Sequence, residues 1–323
     1  MEADVVAQYQ KLIATGLGCL EAALAGERLE PRLEAKIRLR YAGVLLEETD
    51  NMMEAETALS KGITLCEQVG PPCRFCCKRL TSAQNRYFDL KYSMQVLLAK
   101  LMFTKSPKAA LKALDSHISD VEAYQHHSWI YVFRFLRATL SLQTGRTSDA
   151  NAALHNLRSI SRIATERGDH ALFTFSSLME ALASLHIPGP ESIENVERAL
   201  AAAHMYQLDP ECKIMPLQAL GHTLDVTASL LHQTTEQTLP KLKAMQIMIN
   251  EAFAETTTWN RRSDTIPIPV NRAKGDAQVT SQDTSGLIKI GQDGRDVILI
   301  SFLGKSDIWL LWYVLSSPFI NLH

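Results

Sequence analysis

The chain has 323 residues, a formal net charge of -2, 46% hydrophobic and 21% charged residues, and only 7% aromatics. That balance supplies no long-range field drawing it to nucleic acid or an acidic membrane surface. Sparse glycine and proline, 15 and 12, argue against an all-β sandwich and for helices. The acidic start "MEADVVAQ" lacks a basic-then-apolar signal pattern, and no run reaches the roughly 18 apolar residues of a spanning helix. Without such a signal, Cys19, Cys66, Cys73, Cys76, Cys77 and Cys212 read as reduced thiols. The expectation is a soluble intracellular protein.

In chain order, the first strong pattern is "LEPRLEAKIRLRYAGVLLEET", where Leu39, Gly43 and Leu46 form an apolar edge with a small residue for close approach. The break Thr49-Asp50-Asn51 follows, and Asn51 with Glu54 has the form of a capping box. In "EETDNMMEAETALSKGITLCEQ", Ala55, Ala58, Leu59, Gly62, Ile63 and Cys66 fall on one helical stripe. Two antiparallel helices cannot bury both faces alone, so further hairpins are expected. The segment "YSMQVLLAKLMFTK" with "SPKAALKALDSHI" is a second pair, with Pro107 suited to a first helical turn. "HSWIYVFRFLRATLSLQTG" with "SDANAALHNLRSIS" is a third. "HALFTFSSLMEALASL" with "PESIENVERALAAAHMYQ" is a fourth, and a looser fifth spans about 214–232 and 237–254.

Aligning the second helices puts Ala55, Ala110, Ala153 and Val196 in register, with Leu59, Leu114, Leu157 and Leu200 four residues later. The arrangement resembles the tetratricopeptide repeat, whose 34-residue unit carries small residues at fixed places. Gly43 and Ala55 fit two of them. The expected fold is all-α, a right-handed superhelix of helical hairpins over residues 1–256, followed by a short β-hairpin and a helix within 257–323.

One spacing is too long. The excess lies in "VGPPCRFCCKRLTSAQ", residues 69–84, which has no helical period. Cys73-x-x-Cys76 with Cys77 has zinc-like spacing, but no histidine or second pair stands nearby. The preferred reading is an insert translated from an unspliced intron; a plain surface loop is the alternative. Farther on, "TIPIPV" carries two prolines that forbid a central strand or helix. "GLIKI" and "RDVILISF" flank Gly291-Gln292-Asp293-Gly294, a β-hairpin pattern. A helix capped near Ser306 follows, apolar on nearly every side through Trp309, Leu310, Trp312 and Tyr313. With little chain left to cover it, the polypeptide reads as a truncated product.

No nucleophile elbow, zinc-protease helix, phosphate loop or calcium loop occurs, and "GLGCLE" follows a helical run, unlike a dinucleotide fingerprint. His126-His127 point to different helix faces. The expectation is a non-enzyme without cofactor, bound metal, small-molecule substrate or membrane contact. Arg261, Arg262, Arg272 and Lys274 read as a solvated basic loop. The most aromatic helix, "YQHHSWIYVFRFLR", combines residue types favoured at interface hot spots. Tyr124, His127, Trp129, Tyr131, Arg134 and Arg137 are therefore the candidate partner-binding residues, beside a core role for Ile130, Phe133 and Leu136.

The blocks "GLGCLEAAL", "LEPRLEAKIRLRYAGVLLEET", "EAETALSKGITLCE", "FDLKYSMQVLLAKLMF", "PKAALKALD" and "EAYQHHSWIYVFRFLR" resemble the cohesin-loading factor family, with the fungal branch nearest. The resemblance runs from about residue 9 to 256, broken by the insert, and "IPIPVNR" and "GQDGRDVILISFLGKSDIWLLWYVLSS" look like the family's next section. It implies a nuclear, chromatin-associated scaffold whose superhelix wraps the N-terminal segment of the large HEAT-repeat loader subunit and helps deliver cohesin to chromatin. The rival is a tetratricopeptide adaptor or co-chaperone gripping a peptide carboxylate. That family has Asn four residues after a basic residue on the inner helix, whereas here Arg40 is followed by Val44.

Overall fold

The computed structural model describes residues 2–26, 29–69, 86–189, 191–232, 235–254, 264–272 and 283–320. Among them are twelve α-helices, one 3-10 turn and three short strands. The segment 69–84 lies outside the described residues apart from its first, and so do Arg261, Arg262 and Lys274. The described chain falls into two compact units. The first holds residues up to 133 with 283–290, the second 134–272 with 291–320.

In the first unit, α1 (Glu2–Ala25), α2 (Pro31–Glu48), α3 (Met52–Val69), α4 (Arg86–Lys105) and α5 (Pro107–Ala123) precede the opening half of α6 (His127–Gln143). Stripes at helical spacing build its core. Ala35, Leu39, Ala42 and Leu45 of α2 meet Ala55, Ala58, Leu59 and Cys66 of α3 and Leu90 and Met94 of α4. Leu17, Leu20 and Leu24 of α1 cover one side.

The start of α3 is capped as its sequence demands. Asn51 Oδ1 accepts from the Glu54 amide at 3.4 Å, and Asn51 Nδ2 donates to the Glu54 carboxylate at 2.5 Å. The buried Tyr41 hydroxyl stands 2.5 Å from Glu54 and 2.7 Å from Glu21, a single proton serving two carboxylates. Burial first, then those two bonds, raise its pKa well above the usual tyrosine value. Pro107 occupies the first turn of α5, where a missing N–H costs nothing.

The second unit continues with α7 (Thr147–Arg167), α8 (His170–Ser184), α9 (Ser192–His204), α10 (Met215–Leu231) and α11 (Thr235–Ala254). Gly168, at φ 73°, closes α7 in the left-handed conformation. The register positions are all interior: Ala55, Leu59, Ala110, Leu114, Ala153, Leu157, Val196 and Leu200 are buried. Tertiary stacking of these faces stabilises helices that are marginal in isolation.

After α11 the chain turns to strand. β1 (Thr265–Val270), β2 (Ile288–Ile290) and β3 (Asp296–Ser301) make a small antiparallel sheet in the order β1-β3-β2. The hairpin across Gly291–Gly294 is as expected, with Gly294 at φ 78°. "TIPIPV" is a strand where none was expected. Ile266, Ile268 and Val270 are buried while Pro267 and Pro269 fall between them, opposite Leu299 and Val297 of β3. At the sheet's edge a missing N–H breaks no ladder bond, so the prolines are tolerated.

Polar pins hold β1 to the helices. Buried Asp169 accepts from the Asn271 amide at 2.6 Å, and Asn271 Nδ2 donates to the Gly168 carbonyl at 3.0 Å. Arg167 donates to the Asn271 carbonyl at 2.7 Å. The last helix, α12 (Lys305–Ile320), buries Ile308 and packs Trp312 and Leu315 on Met245, Ile249 and Ala252. Buried Lys305 donates to the Ala252 carbonyl in the final turn of α11, its ammonium 4.8 Å above the Phe253 ring. That cation offsets the negative end of the α11 dipole.

The glycines separate on inspection. At Gly43 an added Cβ would meet nothing within 4 Å, so close approach does not occur there. At Gly62 it would run into the Met94 sulfur and lie 3.6 Å from Arg38 Cβ. Gly43→Ala should therefore stabilise by up to about 1 kcal/mol through helix propensity. Gly62→Leu should cost about 1–3 kcal/mol by overpacking, and Gly62→Ala should lose its propensity gain to displacement of the buried Met94. Denaturant melts of the three variants check this order.

On α12, Trp309, Leu310, Tyr313 and Val314 form one outward row, between 46% and 57% exposed. Contiguous apolar rows of this kind bind hydrophobic dyes and promote association. The protein should bind such a dye and self-associate at high concentration, and Leu310→Glu/Val314→Lys should reduce both, as read by fluorescence titration and light scattering.

Candidate partner-binding surface

The sequence candidates cluster around α6 and the turn before it. Tyr124 ends α5 and is half-buried, its ring 5.4 Å from Phe88. His126 packs on Phe88 at 4.9 Å, and its Nδ1 lies 3.1 Å from the Tyr92 hydroxyl. His127 is half-buried at the first position of α6. Two residues farther, Trp129 is buried and donates its indole N–H to the buried Asp89 at 2.8 Å. Burial raises the Tyr92 hydroxyl pKa, with the neighbouring Tyr124, Asp120 and Asp89 adding to it. Tyr131 is fully buried.

Arg134 and Arg137 belong to the second unit. Arg134 is half-buried and donates to Asn156 Oδ1 at 3.0 Å, while Asn156 Nδ2 donates to the Ala152 carbonyl at 3.0 Å. Arg137 is buried, bonded to Ser141 one turn along its own helix. Solvent thus reaches Tyr124 and His127 in the first unit and Arg134 in the second, while Trp129, Tyr131 and Arg137 are buried.

A second feature has no counterpart in the sequence reading. In the second unit a cavity of about 240 Å³ opens between α8, α9 and α10, lined by Thr174, Leu178, His204, Cys212, His222 and Asp225. A neighbouring one of about 340 Å³ takes in Glu197, Ser229, His232 and Lys241, and shares His204 and Asp225. The dividing wall is an ion pair, His204 Nε2 to Asp225 Oδ2 at 3.0 Å, with Gln207 Oε1 3.1 Å from His204 Nδ1. Beside it His232 meets Glu197 at 2.8 Å, and Lys241 stands 3.9 Å from Asp225.

The titratable groups of this lining are shifted by their surroundings. Burial pushes the Cys212 thiol up, against the 3.5 Å contact with the Thr174 hydroxyl, so it stays protonated and weakly nucleophilic. Burial likewise lowers His222, which stays neutral. Among the described residues no group of three or more His, Cys, Asp or Glu side chains could hold a metal ion. No helix among them is long and apolar enough to cross a membrane.

His204 is raised above its ordinary value, first by the hydrogen bond to Asp225 and then by that carboxylate's charge, against burial and Lys241. A raised folded-state pKa gives stability that is present below the unfolded pKa, about 6.5, and lost as pH climbs through the folded one. His204→Gln should therefore lower Tm at acid pH and converge with the parent at alkaline pH. Paired melts from about pH 5.5 to about pH 8.5 read that difference directly.

Comparison with known proteins rests on one match. A family model described as cohesin loading factor covers residues 1–71 and 78–318. No curated protein and no solved structure matches. The break in the family match lies inside the 69–84 segment, and the matched residues run from α1 into α12. With nearly every residue of both units matched, the chain belongs to the cohesin loading factor family.

Proposed function

We propose that this chain is a non-catalytic scaffold of the cohesin-loading complex. It holds the N-terminal segment of the large HEAT-repeat loader subunit, and through that subunit supports cohesin loading on chromatin in the nucleus for sister-chromatid cohesion. The observation that carries the reading is the family match across residues 1–71 and 78–318, which ties the chain to cohesin loading. The physical support is the build of each unit: helical hairpins on buried apolar stripes, with Tyr124 and His127 half-exposed in the first unit and Arg134 half-exposed in the second. Aromatic and arginine side chains held by a rigid base are the residue types that dominate binding energy.

A pull-down from nuclear extract with the purified chain tests this reading. The large loader subunit should be recovered and identified by mass. Arg134→Glu should reduce its recovery by at least about tenfold, the scale of an interface hot spot, with the melt of the free protein little changed. Absence of that subunit from the bound fraction would overturn the assignment.

A further inference from the structure

The turn at 283–288 packs inside the first unit, against helix residues 190 and 251 positions earlier in the chain. Asp283 is fully buried. Its Oδ2 accepts from Arg32 of α2 at 2.7 Å, and Lys36, one turn along, places its ammonium 2.8 Å from Oδ1 as an ion pair. The Ser93 hydroxyl of α4, 2.7 Å from the Asp89 carbonyl in its own helix, also stands 3.0 Å from the Asp283 carbonyl. Groove and guest are chemically matched: two cations for a carboxylate, a hydroxyl for the carbonyl of the same residue.

Two features make this guest separable. The turn satisfies its own polar groups, since Thr284 Oγ1 donates to the Ile288 carbonyl at 2.7 Å and the Leu287 amide to the Thr284 carbonyl at 3.0 Å. Its bend is local, with Ser285 at φ 50° and Gly286 at φ 79°. These internal bonds leave with it, and on release the Asp283 carbonyl exchanges the Ser93 hydroxyl for water. Furthermore, Arg32 and Lys36 keep side-chain exposures of 23% and 30%, so water and salt reach the cations that hold the carboxylate. Asp283, Thr284 and Ile288 of the turn are buried, while Ser285 and Gly286 stand in solvent.

We propose that the α2–α4 groove is a binding site for a carboxylate-bearing segment, that residues 283–288 are its resident ligand in cis, and that release of this plug admits a carboxylate-bearing peptide of another chain to Arg32 and Lys36. The inference stands on this geometry and is independent of which loader subunit the protein meets.

The test uses the full chain and a fluorescent peptide of residues 283–290. Asp283→Ala should bind the peptide at least about tenfold more tightly than the parent does. The Asp→Asn version of the peptide should bind neither, and Arg32→Ala/Lys36→Ala should abolish the gain in the Asp283→Ala background. Equal binding by parent and variant, or none by a variant with an intact melt, would overturn the proposal. Should Asp283→Ala not fold, hydrogen exchange of the parent decides. The Leu287 amide should exchange faster at about 0.5 M than at about 0.05 M salt while α3 amides do not, and salt-independent exchange at Leu287 means a permanent wall.

Discussion

Helices α3, α5, α7 and α9 each carry a stripe of small and branched apolar residues that is buried against neighbouring helices. Ala55 with Leu59, Ala110 with Leu114, Ala153 with Leu157 and Val196 with Leu200 all sit in the interior. A small residue followed one turn later by leucine lets two backbones approach and then fills the gap beyond. Because a hairpin has two faces, satisfying one leaves the other seeking a partner, and stacking in chain order is the economical solution. The two cavities lie beside the α9–α10 contact, where the pairs His204–Asp225 and Glu197–His232 bridge those two helices.

Apolar stripes say little about where a non-helical piece should dock, and buried carboxylates supply that information. Asp89 fixes the Trp129 indole, Asp169 fixes the Asn271 backbone, and Asp283 finds Arg32 and Lys36. A buried carboxylate without its partners is costly, so each pair punishes a wrong docking more than it rewards the right one. Both units use this device internally. The first places its late turn with it, and the second places its edge strand.

The helices were legible because their periodicity is local: α3, α5, α7 and α9 lie where the stripe placed them, and Asn51 caps α3 as its spacing to Glu54 required. Gly62 was legible as a point of close approach, yet Gly43 has the same look and meets nothing, because a stripe does not say which of its small residues faces a large neighbour. β1 escaped notice since two prolines outweigh alternation in any local reading; only the sheet order shows the strand to be an edge. Of the candidate site, the aromatic content of α6 was plain, but how its side chains are held depends on Asp89, which takes the Trp129 indole, and Asn156, which takes Arg134, both from other helices. His204 with Asp225, and Asp283 with Arg32, were invisible for the same reason: pairing across distant helices leaves no period behind.

The lysine at the head of α12 reaches the carbonyl of a residue 53 positions earlier, at the close of α11. During synthesis α11 therefore emerges with its C-terminal dipole uncompensated and its last carbonyl exposed. At translation speeds of about 5–20 residues per second, the missing cation follows roughly 3–10 s later. For that interval the Met245, Ile249 and Ala252 face of α11 is also without α12. The closing turn of α11 is thus an unfinished surface on the ribosome, sealed only when α12 arrives, and that delay defines the window in which a chaperone would find the second unit open.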